Sequence, residues 1–170
     1  MNFSDLGELA VSVYGGGVKD KSKSVKVPKE IDEDLAYLAG ALISDGHLSK
    51  GDIFFCSFEE SFRKTIQERL LKVFGRYYSS KDENRTHLCS LFAPFFFNKV
   101  FGIPIGNKSR IVKVPEVIFK SDNKVISSFL RGLFDGDGTA SAGVSYKTYS
   151  KELAEGVTYL LSRLGIYSYL

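Results

Sequence analysis

The sequence predicts an α+β (mixed α/β) fold made of two pseudo-symmetric repeats, the second truncated, with one long helix of each repeat packed at the centre. Three observations predict it. An apolar helical segment ending in Asp-Gly occurs twice, about 90 residues apart. Each copy leads into a strand pattern and then into another helical pattern. The composition, 44% apolar and 25% charged in 170 residues, is typical of a globular chain with a sizeable core.

The first 30 residues differ in composition from the rest of the chain. Residues 14–17 are glycine-rich, and residues 19–26 are basic and serine-rich. We interpret residues 1–30 as a flexible basic arm or linker, either a remnant of a larger protein or expression vector or a strap on nucleic acid. Residues 31–120 are predicted to form the first repeat with a connecting segment, and residues 121–170 the second repeat.

The first repeat begins with the first copy of the apolar helix. Asp32 is placed to cap this helix, which is expected to run to about Ser44. Gly46 suits the left-handed conformation that often closes a helix. The residues that follow, 51–58, have the composition of a strand.

A second helix and a strand pair complete this repeat. Ser57 and Glu60 form a capping-box pattern. The helix behind it has apolar residues at helical spacing, namely Phe62, Ile66, Leu70 and Phe74. Residues 76–80 and 85–90 read as a strand pair around a polar turn. Residues 92–101 are expected to form a short helix.

The second repeat follows the same order. Ser121 is expected to cap the second long helix, which runs to Asp137. A strand over 143–149 and a Ser-capped helix ending at Gly165 come next. Nothing in this repeat corresponds to residues 79–105 of the first. We therefore expect a second repeat that is incomplete at its C-terminus, as in a fragment, a degraded gene or a chain completed by a partner.

Small residues stand at matching places on the two long helices. Gly40 and Gly132 align, and Ala36 and Ala39 flank Gly40. Small side chains let helix backbones approach closely. We predict that these residues form the interface between the helices, which would then end side by side.

Two carboxylates would meet at those helix ends. Asp45 and Asp137 each close one long helix, and two carboxylates that close repel each other unless a cation joins them. Mg²⁺ prefers oxygen ligands and keeps several waters. Such a centre can activate water and can offset charge on a phosphodiester. Two acidic ends related by a pseudo-twofold axis suit a substrate that is itself two-stranded.

These residues also carry a family resemblance. Leu38 to Gly46 and Leu130 to Gly138 stand where the motif stands in LAGLIDADG (dodecapeptide) homing endonucleases, which the chain resembles over about residues 31–170. The resemblance implies a site-specific endonuclease that cleaves double-stranded DNA with Mg²⁺, for which Mn²⁺ can substitute. It also implies a monomer built of two αββαββ-type repeats with the motif helices at the central interface, and a larger intein or host protein as a further partner.

The resemblance assigns roles residue by residue. Asp45 and Asp137 take the catalytic, metal-ligand positions, with Gly46 and Gly138 included in the metal site. Lys108 stands where intein endonucleases carry a catalytic lysine, and Lys113 is the alternative. Asp135 matches a second acidic position of the motif that is usually structural.

Strand residues are the candidates for reading DNA, because a strand presents one row of side chains to a major groove. The polar and aromatic candidates are Arg76, Tyr78, Lys81, Arg85, His87, Tyr146, Lys147 and Tyr149. His47, next to the first motif, either contacts a metal-bound water or a phosphate or is an ordinary exposed turn residue. The net charge of +3 permits a nucleic-acid partner without requiring one.

The remaining expectations are brief. The alternative function is a cleavage-inactive nucleic-acid-binding module on the same scaffold, such as an RNA maturase or a DNA-binding regulator. Cys56 and Cys89 are expected to be small core residues. The start of the chain has no secretory signal and no apolar run is long enough to cross a membrane, which favours an intracellular protein.

Overall fold

The computed structural model describes residues 25–80, 84–141 and 143–170. Most of the predicted arm over 1–30, and Lys81, therefore lie outside the described residues. The elements, in chain order, are α1 (Glu33–Ile43), β1 (Gly46–Leu48), β2 (Asp52–Cys56), α2 (Glu60–Phe74), β3 (Tyr78–Ser80), β4 (Arg85–Cys89), α3 (Phe92–Phe101), α4 (Glu116–Phe119), α5 (Asn123–Asp137), β5 (Gly138–Thr139), β6 (Ser145–Tyr146) and α6 (Lys151–Arg163).

The strands form two antiparallel sheets, which confirms the mixed α+β class. One has four strands in the order β1-β2-β4-β3, and the other pairs β5 with β6. The order α1-β1-β2-α2 recurs as α5-β5-β6-α6, so the predicted repeat of helix, two strands and helix is present in both halves. The residues of strand β1 were not identified in the sequence, because three residues are too few to show alternation. The strand expected over 143–149 is only two residues long.

The two long helices begin at aspartate caps. The Asp32 carboxylate accepts from the Leu35 amide at 2.8 Å, as predicted. The cap of α5 is Asp122, whose carboxylate accepts from two first-turn amides at 2.9 and 3.0 Å. The prediction of Ser121 was wrong, because its hydroxyl donates instead to the Val117 carbonyl in the preceding turn at 2.8 Å.

Helix α2 buries the face that its apolar spacing predicts, with Phe62, Ile66, Leu70 and Phe74 all inside the core. The predicted capping box is wrong. Glu59 occupies the cap position without a side-chain cap bond, and the Ser57 hydroxyl accepts from the Glu59 amide at 3.1 Å. The Ser57 side chain therefore closes a turn just before the helix and does not cap the helix itself.

Helices α1 and α5 pack against each other at the centre of the molecule with almost no space between their backbones. A Cβ built on Gly40 would lie 2.1 Å from the Phe129 carbonyl oxygen, and one on Gly132 would lie 2.1 Å from the Tyr37 carbonyl oxygen. Real Cβ atoms do not approach that closely, so both glycines are needed. Ala36 and Ala39 are fully buried beside them.

Gly46 and Gly138 follow the long helices, but neither adopts the expected left-handed conformation. The described glycines with positive φ are Gly75, Gly102, Gly106, Gly143 and Gly165. Gly138 has φ −79° and ψ 156°, which is extended backbone. The reason for glycine is close approach: a Cβ at Gly46 would lie 2.6 Å from the Leu42 Cα, and one at Gly138 would lie 2.4 Å from the Phe134 carbonyl oxygen.

The two cysteines are exposed, which corrects the expectation that they are core residues. Strands β2 and β4 bury Ile53, Phe55 and Leu88 on the face toward the helices. Alternation then places Cys56 and Cys89, at the ends of these strands, on the opposite face. Among the helices that the structure describes, none is both long and apolar enough to span a membrane.

Candidate active site at the ends of the paired helices

The C-terminal ends of α1 and α5 converge, as the paired glycines require. Gly136, next to the last residue of α5, lies against Ser44 at the end of α1: a Cβ on Gly136 would be 2.1 Å from the Ser44 Oγ and 3.4 Å from the Asp45 amide nitrogen. Asp45 follows this contact in one repeat and Asp137 follows it in the other. Each aspartate leads directly into the first strand of its repeat, which fixes the direction in which the chain leaves the helix.

The charge of Asp45 acts on the carboxyl of Asp137. Loss of solvation raises the pKa of Asp137, and the negative charge of Asp45 raises it further. Burial also raises the pKa of Asp45. The positive charge of Lys108 lowers the pKa of both and so opposes these effects. The pair is a site of unfavourable negative charge that a cation would relieve.

Lys108 reaches this pair from the segment that connects the repeats. Its Nζ donates to the Ser44 carbonyl at 3.0 Å. Burial lowers its pKa, while Asp137 and Asp45 act in the opposite direction. The connecting segment is held in place by the Gly106 amide, which donates to the Leu48 carbonyl at the end of β1 at 2.9 Å. Lys113, the alternative lysine, is exposed on the same segment.

The donor set is chemically suited to a hard divalent cation. Asp45 and Asp137 provide carboxylate oxygens from two chain segments, and Mg²⁺ is commonly held by one or two carboxylates plus waters. Within the described part of the chain, no cluster of three or more His, Cys, Asp or Glu side chains could hold a metal ion. Gly46 and Gly138 lie directly after the two aspartates, and their part in a metal site remains a prediction.

Tyr146, one of the predicted DNA readers, lies beside the end of the helix that carries Asp137, and its role in DNA binding stays a prediction. It lies opposite Gly138 in the β5–β6 ladder. The negative charges of Asp137 and Asp45 add to burial in raising its pKa. Aligning the two hairpins could have found it, because Gly46 pairs with Phe55 where Gly138 pairs with Tyr146.

Three predicted DNA readers share the solvent face of the four-stranded sheet. Tyr78, Arg85 and His87 lie on the face opposite the helices, where an unbroken row of rings crosses all four strands. The row runs from His47 through Phe54 and His87 to Tyr78, with centroid separations of 4.8, 5.7 and 6.3 Å. The His87 Nδ1 lies 2.8 Å from the Asp52 carboxylate, and the Arg85 guanidinium lies 5.5 Å from the Phe54 ring centre.

The remaining candidates for DNA binding lie outside this row of rings. Arg76 is half-buried in the turn before β3, and Lys147 and Tyr149 are exposed between β6 and α6. Their role in binding stays a prediction, because the structure brings none of them to the row of rings.

A second polar contact joins the repeats on the flank of the helix pair, and sequence reasoning missed it. The Tyr37 hydroxyl donates to the Asp135 carboxylate at 2.7 Å. The Arg69 guanidinium lies 4.1 Å from the centre of the Tyr37 ring, and the Arg131 Nε is 3.5 Å from Asp135. Near the other end of the pair, the Ser128 hydroxyl donates to the Glu33 carbonyl at 2.6 Å.

Comparison with known proteins identifies a family that the second repeat matches. Residues 124–170, the span of α5 to the end of the second repeat, match a family model described as a LAGLIDADG-like domain. The matched region contains Asp137 and the hairpin that carries Tyr146.

The chain is also similar to short segments of long archaeal proteins. It is 29% identical over 154 residues to a subunit of the A-type ATP synthase of Pyrococcus abyssi, covering 87% of this chain and 15% of that protein. It is 26% identical to the Rpo1C subunit of the DNA-directed RNA polymerase of Methanocaldococcus jannaschii, covering 99% and 20%. For the replication factor C small subunit of the same organism the identity is 34%, covering 81% and 8%. The chain thus spans a fifth or less of each of these relatives.

Proposed function

We propose, from the premise that this chain carries a domain of the LAGLIDADG homing-endonuclease type, that it is a site-specific endonuclease. It hydrolyses phosphodiesters of double-stranded DNA with a divalent cation held by Asp45 and Asp137. The observation that carries the proposal is the contact of Gly136 with Ser44 and the Asp45 amide, because it brings the two aspartate-bearing helix ends together.

The chemistry follows from the charges at these ends. Mg²⁺, when bound, would supply a Lewis acid for the phosphate and lower the pKa of a bound water. The protein's own part is to hold two carboxylates ready at the ends of a packed helix pair. Lys108 adds a positive charge beside them, which favours the build-up of negative charge on a phosphate during the reaction.

The solvent face of the four-stranded sheet is the proposed DNA surface of the first repeat. Its row of rings begins at His47, two residues after Asp45, and so starts beside the carboxylate pair. Arg85 provides a cation on the same face for phosphate or guanine. Tyr78, at the far end of the row, is 63% exposed and therefore open to a partner.

The relatives support the proposal that this chain lies within a larger host protein. One is part of an ATP synthase, another is part of an RNA polymerase, and a third is part of a replication factor; they share no named activity, yet each has a segment similar to this chain. A segment found in such different proteins is best explained as an inserted element. We therefore propose that the endonuclease belongs to an intein or a similar element within a larger host protein.

Cleavage of a randomised duplex library tests the function. The purified chain should cut a subset of duplexes with Mg²⁺ and none with EDTA, and Asp137→Asn should abolish cutting while leaving binding in place. Glu152→Gln, at an exposed position of α6, is the control for loss of one surface carboxylate. Tight, salt-sensitive binding that is never followed by metal-dependent cutting would reject the nuclease in favour of a nucleic-acid-binding module.

A further inference from the structure

Tyr146 occupies a position that ties it to the carboxylate pair. It lies opposite Gly138 in the β5–β6 ladder, and Gly138 directly follows Asp137. Its ring packs on Phe134, one turn before the end of α5, at a centroid distance of 5.4 Å. The half-buried ring is thus fixed beneath the end of the helix that carries Asp137.

The first repeat has no hydroxyl at the matching position. There Gly46 pairs with Phe55, whose side chain is 2% exposed in the core. The two hairpins therefore present different groups opposite their first glycines, an apolar ring opposite Gly46 and a phenol opposite Gly138. The backbones of the two repeats match here, but the side chains at the matching position, Phe55 and Tyr146, differ in chemistry.

The phenol lies in the field of both carboxylates, since the charges of Asp137 and Asp45 each raise the pKa of Tyr146. Among the residues that the structure describes, none forms a hydrogen bond with its hydroxyl. A phenol that lies opposite Gly138 and is bonded to neither carboxylate has a donor to offer to another oxygen.

We propose that the Tyr146 hydroxyl belongs to the active centre, where it donates a hydrogen bond to an oxygen bound to the cation. This oxygen is water in the free protein and a phosphate oxygen in the DNA complex. The inference rests on the proposed function and deepens it, because it makes the Asp137 side of the centre different from the Asp45 side. Tyr146 then positions the group to be attacked on that side.

Terbium luminescence tests the placement without any need for DNA. Tb³⁺ takes oxygen ligands as Ca²⁺ does, and its emission is sensitised by a tyrosine only at short range. The chain has nine tyrosines and no tryptophan, so tyrosine is the sensitiser. The wild-type protein should show sensitised emission that Mg²⁺ displaces. Tyr146→Phe should lose most of this emission while binding Tb³⁺ with unchanged affinity in calorimetry.

The matched control is Tyr159→Phe, which removes a hydroxyl from a residue of α6 that is 55% exposed. It should keep the wild-type emission. Full emission from Tyr146→Phe would overturn the inference, because Tyr146 would then lie away from the cation. If the wild-type chain binds no Tb³⁺, or binds it equally well with Asp45→Asn and Asp137→Asn together, the carboxylate metal site itself fails, and with it the proposed function.

Single-turnover cleavage tests the hydrogen bond on a duplex that the wild-type chain cuts. Tyr146→Phe reproduces the apolar ring of the first repeat, so the melting temperature should not change. The rate should fall by about 10- to 100-fold, the range expected for one hydrogen bond to a charged group. The dissociation constant for DNA should rise by a smaller factor, because the bond is strongest when negative charge builds up on the phosphate. The strand cut on the Asp137 side should be slowed more than the other. Equal rates for Tyr146→Phe and wild type would refute the donor role even if the emission is lost.

Discussion

Lys108 donates from Nζ to the Ser44 carbonyl at 3.0 Å, so a lysine of the connecting segment closes the end of the first central helix. The last carbonyls of a helix lack partners within it and carry partial negative charge. Asp45 and Asp137 place two further negative charges beside the same ammonium group. One lysine therefore offsets negative charge at the helix end and at both carboxylates. We expect its loss to affect both the stability of the protein and its cleavage activity.

Replacing Lys108 by methionine keeps much of the side-chain volume and removes the charge. We expect the single-turnover cleavage rate to fall by roughly 10²–10³, the range seen when one preorganised electrostatic donor is removed. The melting temperature should also fall, because the Ser44 carbonyl loses its donor and the carboxylates lose their nearest cation. Rapid-quench kinetics and calorimetry measure the two effects.

Lys113→Met is the control, since this lysine lies exposed on the same segment. It should leave both quantities within error of wild type. A larger effect from Lys113 than from Lys108 would mean that the assignment of the lysine is reversed.

Asp45→Asn should stabilise the protein while inactivating it. The folded-state pKa of Asp45 is raised, so the folded protein binds the proton more tightly than the unfolded chain does, and stability falls as pH rises through that pKa. At pH 7 the variant should melt a few degrees higher, since ~1 kcal/mol corresponds to about 2–4 °C in a chain of this size. Below the ordinary value of 3.8 the difference should vanish. Thermal scans across pH measure it.

The response of the melting temperature to Mg²⁺ distinguishes loss of the metal site from simple removal of a negative charge. Mg²⁺ should raise the melting temperature of the wild type, because a ligand bound only to the folded state stabilises it. It should do little to Asp45→Asn. Equal stabilisation of both proteins would place the cation somewhere other than the carboxylate pair.

The parts of the site that the sequence predicted are those marked by duplication. Gly40 and Gly132, and Asp45 and Asp137, stand in two copies of one pattern, and a common pattern implies a common environment. Lys108 has no duplicate, and only the family resemblance indicated it.

The parts that were missed depend on register and on long-range contacts. The pairing of Tyr146 with Gly138 follows from a two-residue strand that shows no alternation. The bond from Tyr37 to Asp135 joins residues 98 positions apart. The sequence did not show which face of β2 is buried, because Phe54 and Phe55 are adjacent and equally apolar. Cys56 was misplaced for that reason, since the phase of a strand decides which residues are buried.

Tyr37→Phe tests the contact between the repeats. The ring and its cation–π contact with Arg69 stay in place, so the change removes only the hydrogen bond to Asp135. We expect the free energy of unfolding to fall by about 1.5–3 kcal/mol, the range for a hydrogen bond to a charged group. Chemical denaturation measures it. Tyr159→Phe on α6, where the residue is 55% exposed, should change stability little; a comparable loss there would show that the effect is not specific to the contact.

Tyr78→Ala tests the row of rings as a nucleic-acid surface. The side chain is 63% exposed at the far end of the row, so its removal should not disturb the core. We expect affinity for the cognate duplex to fall by about tenfold, within the range of one stacking or edge contact of about 1–3 kcal/mol. Fluorescence anisotropy measures it, with Tyr159→Ala as the control on the surface of α6. Unchanged affinity would remove this end of the sheet from the interface.

Gly132→Ala tests the close approach of the helices on which the whole site depends. On an isolated helix this change stabilises by about 1 kcal/mol, but here the new Cβ would lie 2.1 Å from the Tyr37 carbonyl oxygen. The backbones must move apart, so we expect a net loss of about 1–3 kcal/mol or more. Cleavage should fall further than stability does, because separated helix ends separate Asp45 from Asp137. Gly51→Ala is the control, since the nearest atom to its Cβ is a Leu91 methyl at 3.6 Å. If Gly132→Ala melts and cleaves as Gly51→Ala and the wild type do, the central helices are not packed through these glycines, and the close approach does not bring the two carboxylates together.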